Sequence, residues 1–265
     1  MRRIENRDRP RILVTNDDGI NANGLKVLER IARTLSDDVW VAAPEVNQSG
    51  SAHSLTLTRP LRVRRLDERH VAIDGTPTDC VLIALQHVIP DRPGERPVDL
   101  VLSGVNHGHN LGEDVTYSGT IAAAMEATLF RVPAVALSQA CADRRSIRWA
   151  TAERWAPDLL RRLLDMPWAE DLLVNVNFPD REPDEVKGWR VTRQGKRKIG
   201  DTLEERVDPR GEPYIWIGAL RESEEAAGEG TDLAAIAEGY VTVTPVHLDM
   251  THHQSLATLG RHLEG

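Results

Sequence analysis

The chain has 265 residues, 40% of them apolar and 4% aromatic, which suffices for the core of one large α/β domain built mainly from Val, Leu, Ile and Ala. A net charge of −8 and a sequence pI near 5.6 exclude a coat for nucleic acid polymers, which needs a Lys/Arg excess to neutralise phosphates; a small anionic substrate needs only a local positive site. No apolar run is long enough to cross a membrane, no signal-peptide apolar region opens the chain, and Cys80 and Cys141 stand in unrelated contexts without zinc spacing, so a reduced, cytoplasmic setting is the expectation.

Residues 1–10 form a polar, Arg-rich arm, expected to be flexible. Ile12-Leu-Val-Thr15 reads as a buried strand, and Leu25, Val27, Leu28, Ile31, Ala32 and Leu35 recur at helical spacing after it. Val39 to Ala43 is a second buried strand, and strand, helix, strand in so short a stretch predicts a βαβ unit and a parallel sheet. Two shorter strands are expected between Leu57 and Asp74. A helix over Pro77–Val88 has a well-marked start: Thr76 as N-cap, Pro77 at the first helical position and Asp79 at the third.

Val98 to Ser103 predicts a third core strand, Gly119 to Phe130 an Ala-rich helix, and Ala134 to Ser138 another strand. Ile147 to Leu164 reads as a long amphipathic helix, and Leu172 to Asn177 as the strand that closes the alternation. Beyond it, strand-like runs between Val191 and Tyr214 break at Asp208-Pro-Arg-Gly211, which is turn chemistry, and Glu222 to Gly230 reads as an acidic loop. Tyr240 to Thr244 is a strand, and Thr251 with Gln254 suggests a capping box opening a last helix over His252–Leu263. Asp249 and His253 stand one helical turn apart and read as a structural pair. The expectation is a Rossmann-like, doubly wound, mostly parallel α/β domain over 11–265: a core to 190, a hairpin arm over about 191–220, and a final strand and tail helix over about 239–265.

Four polar, Gly-containing turns follow core strands or open core helices, where open parallel sheets bind ligands. In Thr15-Asn-Asp-Asp-Gly19 the adjacent carboxylates of Asp17 and Asp18 repel each other, and a hard divalent cation removes that repulsion; the plainer reading is an Asp-Gly turn with solvated acids. Asn47-Gln-Ser-Gly-Ser51 offers hydroxyl and amide oxygens, though alone it reads as an ordinary polar turn. In the Gly-rich segment Ser103 to Gly112, Asn106 can give a metal a neutral oxygen, while His107 and His109 weigh mainly as loop residues. Tyr117-Ser-Gly-Thr120 opens a helix whose free N–H groups suit a phosphate; a plain Ser or Thr cap competes with that reading.

These segments resemble the SurE-type survival-protein nucleotidases. The likeness also takes in Ala43-Pro-Glu-Val-Asn-Gln-Ser-Gly50, His53-Ser-Leu-Thr56, Gly75-Thr-Pro-Thr-Asp-Cys80, Ala123-Ala-Met-Glu126, Arg193-Gln-Gly-Lys196 and Gly239-Tyr-Val-Thr-Val-Thr-Pro245, in the family's order. The resemblance implies a Rossmann-like fold and removal of phosphate from nucleoside monophosphates, with 3′-nucleotidase and short-chain polyphosphatase activity as extensions. It also implies one divalent metal ion per subunit, magnesium or manganese. The family's metal ligands fall on Asp17, Asp18, Ser49 and Asn106, and its phosphate-contacting turn on Ser118, Gly119 and Thr120. Asp17, Asp18 and Asn106 are thus the expected catalytic residues, with Asn16 beside them on the substrate side.

All four proposed ligands present oxygen, which favours magnesium or manganese over zinc or copper. Two other readings compete: a covalent route with Asp17 as nucleophile, and a nucleotide-binding sensor without turnover. An NAD-dependent oxidoreductase is disfavoured, since Asn-Asp-Asp-Gly stands where a dinucleotide Gly-rich turn belongs. The apolar run Tyr214-Ile-Trp-Ile217 on a hairpin, and Leu256, Leu259 and Leu263 on the last helix, point to surfaces buried by a second subunit, in a homodimer or homotetramer.

Overall fold

Buried parallel strands need apolar side chains on both faces, and the first two strands meet that demand without a gap. In the computed structural model, which describes residues 4, 6–89, 96–143, 145–196, 203–217 and 228–264, β1 (Ile12–Thr15) and β2 (Val39–Pro44) are buried at every position. Helix α1 (Asn23–Arg33) connects them and buries Leu25, Val27, Leu28, Ile31 and Ala32, the stripe predicted from spacing. β3 (Val63–Arg65) and β4 (His70–Ile73) follow as an antiparallel pair, with β4 parallel to β2. Helix α2 (Pro77–Ile83) starts with the expected capping box, Thr76 accepting from the Asp79 N–H and Asp79 from the Thr76 N–H, and runs on as a π-helical turn over Ala84–Val88.

β5 (Leu100–His107), α3 (Gly119–Leu129), β6 (Ala134–Gln139), α4 (Trp149–Asp165) and β7 (Leu172–Phe178) complete the alternation. After it come β8 (Trp189–Val191), β9 (Leu203–Val207), β10 (Pro213–Ile217), α5 (Asp232–Ala237), β11 (Val241–His247) and α6 (His253–Leu263). The main sheet has nine strands in the order β3-β4-β2-β1-β5-β6-β7-β11-β8. One core cluster joins the sheet to α1 and α4, and a second joins its other face to α2 and α3. From β1 the chain winds outward through β2 and β4, then returns to β5 on the other side and winds out through β6 and β7. The reversal leaves a crevice between the carboxyl ends of β1 and β5, the place where such sheets bind ligands.

Several expectations need correction. The third core strand does not stop at Ser103: after a register shift it resumes pairing, Asn106 with Ser138 and His107 with Gln139, so both residues stand on β5 and not in a loop after it. Glycine makes the detour possible, since Gly104 has φ +133° and a side chain there would meet the Leu137 carbonyl at 2.1 Å. Val191 belongs to the edge of the main sheet, paired with Val243, and not to the arm. Helix α5 was not anticipated. The last helix begins at His253 without the expected capping box, because no side chain caps His252 and Asp249 Oδ1 accepts the Thr251 N–H instead. The Asp249–His253 pair does form, at 2.6 Å, and the Thr251 hydroxyl and amide, then His253, hold the Asp249 carboxyl down at about 2.

The described part of the N-terminal arm lies against the domain: Ile4 joins the core, Asn6 bonds to Asp99 and Arg7 to Asp165. The acidic loop expected over Glu222–Gly230 falls largely outside the described residues. The hairpin β9–β10 is exposed at all ten strand positions, and α6 buries none of its residues.

Candidate functional site

Three segments converge at the β1/β5 crevice. Asn16 to Gly19 leaves β1 in a turn tied by its own side chain: Asn16 Oδ1 accepts from the Gly19 N–H at 3.2 Å and Asn16 Nδ2 donates to the Gly19 carbonyl at 3.1 Å. Asn16 is fully buried, so its amide is spent on shaping the turn. Gly19, at φ +103°, lets the chain double back against the residues after β2. There the Gln48 N–H donates to the Asp17 carbonyl at 2.7 Å, and Asn47 Nδ2 reaches Asp18 Oδ1 at 3.4 Å. From the other side the His107 N–H donates to Asp18 Oδ2 at 3.2 Å.

The start of α3 closes over Asp17. Thr120 Oγ1 donates to Asp17 Oδ1 at 2.5 Å, and a Cβ built on Gly119 would lie 2.7 Å from Asp17 Cβ and 3.0 Å from its Oδ2. Ser118 caps the helix, its Oγ accepting from the Ile121 N–H at 3.1 Å. Asp17 is 4% exposed, and burial pushes its carboxyl up from 3.8 to about 6; the Asp18 charge pushes the same way, while the Thr120 hydroxyl and the Asp17 and Thr120 amides pull it back.

The structure therefore brings Gly119 and Thr120 of α3 into direct contact with Asp17, while Asn16 and Asp18 share its turn. It brings Ser49 and Asn106 to the same edge less closely. Ser49 is exposed on the loop after β2, its N–H tied to Asn47 Oδ1 at 2.8 Å, and Asn106 Nδ2 donates to the Gly108 carbonyl at 3.1 Å, which leaves Oδ1 as the accepting end. Two residues have roles other than those expected from the phosphate turn: the Ser118 hydroxyl caps, and the Thr120 hydroxyl holds a carboxylate.

The donor set suits a hard cation. Two adjacent carboxylates, one of them raised by burial, are the hard anionic oxygens that a divalent cation takes, and the carbonyl end of Asn106 is neutral oxygen. Among the described residues no three His, Cys, Asp or Glu side chains group as a ready-made metal site, so a bound ion needs the hydroxyl or amide ligands as well.

From Asp18 a cleft of about 330 Å³ runs outward between the first turn of α1 and residues 145–149, with His107 and Trp149 in its walls. Sequence reading gave His107 little weight and passed over Asn23, Arg145 and Trp149; the signal for His107 was its place next to Asn106. A larger cleft, of about 500 Å³, lies at the opposite end of the sheet near Asp38, where Arg11, Arg69 and Arg96 all bind that carboxylate, and its charges are spent on one another.

A doubly wound sheet with paired aspartates at its switch point sets a cation-attracting carboxylate pair beside an anion-attracting helix start, as a phosphate-handling α/β protein needs, and comparison with known proteins narrows the class. The family model for survival protein SurE matches residues 12–201. The chain is 57% identical over 249 residues to the 5′-nucleotidase SurE of Paramagnetospirillum magneticum, covering 94% of each, and 56% identical over 253 residues to that of Brucella canis, covering 94% of this chain and 97% of the relative. The crystal structure of the SurE protein from Aquifex aeolicus superposes with a TM-score of 0.82 at 40% identity, covering 96% of this chain and 99% of that one. The chain belongs to the SurE family.

Proposed function

We infer that the protein is a 5′-nucleotidase, a phosphoric monoester hydrolase that releases phosphate from nucleoside monophosphates. Membership of a family whose curated relatives carry that name supports the activity, and the observation that carries the site is the Asp17–Asp18 pair at the switch point, one carboxyl buried under the start of α3. A divalent cation, magnesium or manganese, would be held by Asp17, Asp18, Ser49 Oγ and Asn106 Oδ1, where it would neutralise phosphate charge and lower the pKa of a bound water.

The chain's own groups do the positioning. Thr120 and the first-turn amides of α3 fix Asp17, and Asn16 fixes the turn that presents both aspartates. The N-terminal end of α3 also favours negative charge beside it, which suits a phosphate near Gly119. No observation favours Asp17 as a covalent nucleophile over Asp17 as a metal ligand. No observation favours a sensor without turnover.

The exposed apolar residues of β10 and α6 support a homodimer or homotetramer in which these elements are covered: Trp216 and Ile217 are 62% and 74% exposed, and Leu263 is 77%. Among the described residues no helix is long and apolar enough to cross a membrane; Cys80 and Cys141 are not joined in a disulfide, which suits the reducing cytoplasm.

The test is phosphate release from purine and pyrimidine monophosphates with magnesium, manganese or EDTA. Release that depends on added metal is expected. Equal release from metal-stripped protein would overturn the metal assignment, and no release under any condition would overturn the enzyme reading.

A further inference from the structure

A phosphate between two aspartates and a helix start requires no apolar wall, yet the cleft leading away from Asp18 has one. Ile147 and Trp149 line it together with Asn23 at the first turn of α1, Asn47 and Arg145. Among the described residues Arg145 is in no ion pair. The indole of Trp149 is seated against α1: a Cβ on Gly24 would come within 3.1 Å of its Cη2, so the ring is set in place without help from a ligand. At about 330 Å³ the cleft reaches the lower end of the roughly 300–1,000 Å³ range of small-molecule sites. A cleft lined by an indole, an isoleucine and two carboxamides suits a flat heteroaromatic ring with hydrogen-bonding groups along its edge, since Asn can both donate and accept.

We propose that this cleft seats the nucleoside half of the substrate, with the base against Trp149 and Ile147, its polar edge toward Asn23 and Asn47, and the phosphate at the Asp17–Asp18 end. This rests on the nucleotidase reading and adds the residues that distinguish a nucleotide from any other phosphate ester. Trp149 and Asn23 are specificity-determining residues in this account, acting on the part of the substrate that does not react. A rigid aromatic wall would favour nucleotides over sugar phosphates, because binding energy from a remote group raises kcat/KM when it holds the reacting group in place.

The experiment compares two esters that share the phosphate and the sugar, adenosine 5′-monophosphate and ribose 5-phosphate, with manganese present. Trp149→Ala is expected to lower kcat/KM for the nucleotide about tenfold more than for ribose 5-phosphate, the scale of losing one aromatic stacking partner for a base. Trp149→Phe should restore most of that difference. Asn23→Trp, at an exposed position that the fold tolerates, should narrow the cleft and raise KM for the nucleotide alone. Equal losses on both esters in Trp149→Ala, with an unchanged ratio in Asn23→Trp, would overturn the proposal and leave the nucleotidase reading intact. Wild-type protein that favours neither ester would overturn it as well, whereas wild-type protein that hydrolyses neither would show that the underlying reading had failed.

Discussion

Replacing Asp17 by Asn should abolish turnover and yet make the metal-free protein more stable. In the folded state the Asp17 carboxyl titrates at about 6 instead of 3.8, so the fold resists its ionisation. The sign follows from proton counting: between those two values the folded chain holds a proton that the unfolded chain has released, so stability falls as pH rises through this window. The cost is absent below 3.8 and complete above about 6. At about 1.4 kcal/mol per pH unit it comes to about 3 kcal/mol at neutral pH. An Asn avoids it; the ionic part of the Thr120 bond is already contained in that cost, so what the variant gives up is an ordinary neutral hydrogen bond, worth about 1 kcal/mol net, which leaves a gain of about 2 kcal/mol. For a chain of this size that is a rise of about 4–8 °C in Tm. The assay is thermal unfolding of both proteins in EDTA at pH 7.5, 5 and 4. The ionisation cost falls to roughly half at pH 5 and below about 1 kcal/mol at pH 4, so the gain should shrink to about 0.6 kcal/mol at pH 5 and be gone at pH 4. Added manganese should then raise the wild-type Tm but not that of Asp17→Asn, because a ligand stabilises only the state that binds it. A variant no more stable than wild type at pH 7.5, or a gain that does not change with pH, would refute the reasoning.

Gly119→Ala should lower activity by at least tenfold and stability by about 1–3 kcal/mol, since its Cβ would sit 2.7 Å from Asp17 Cβ; kinetics on the soluble fraction together with urea unfolding check both. Thr120→Val should raise the Asp17 carboxyl further and weaken metal binding, shifting the acid limb of the pH–activity profile upward; an unmoved limb would show that the 2.5 Å bond does not set the titration. Gly24→Ala places a Cβ 2.0 Å from the Val105 carbonyl, so it should disturb the end of β5 that carries Asn106, with loss of metal affinity by calorimetry even if the protein still folds. Ending the chain at Val246 should convert a dimer or tetramer to smaller species in light scattering, and monomeric full-length protein at micromolar concentration would remove the case for assembly.

What the sequence shows well is whatever depends on neighbours in the chain. The continuous apolar runs of β1 and β2, the helical stripe of α1 and the Thr76–Asp79 capping box are local patterns, and each appears in the structure as read. What it hides depends on distant partners. The strand through Asn106 looks like a loop, because its path is set by Gly104 against the Leu137 carbonyl and by Val105 against Gly24 of α1, not by adjacent residues. Helix α5 has six residues, too few to leave a periodic signal, and its first residue, Asp232, is fixed by the amides of Gly112 and Gly195 far away in the chain. The aspartate pair was visible as a motif, but the unequal burial that sets the titration of Asp17 arises from the approach of α3.

The contact between Gly24 and the Val105 carbonyl divides the cleft into a side that sequence change can reach and a side that it cannot. Backbone meets backbone there, with no side chain between to be trimmed or enlarged, so drift at the inner wall has almost nothing to act on. The outer wall at Arg145, Ile147 and Trp149 is made of side chains just before and at the start of α4, where substitution alters shape without moving Asn106 or Asp18. Variation in substrate range among related chains should therefore concentrate in that short segment, and it is the place to randomise when a different base is wanted.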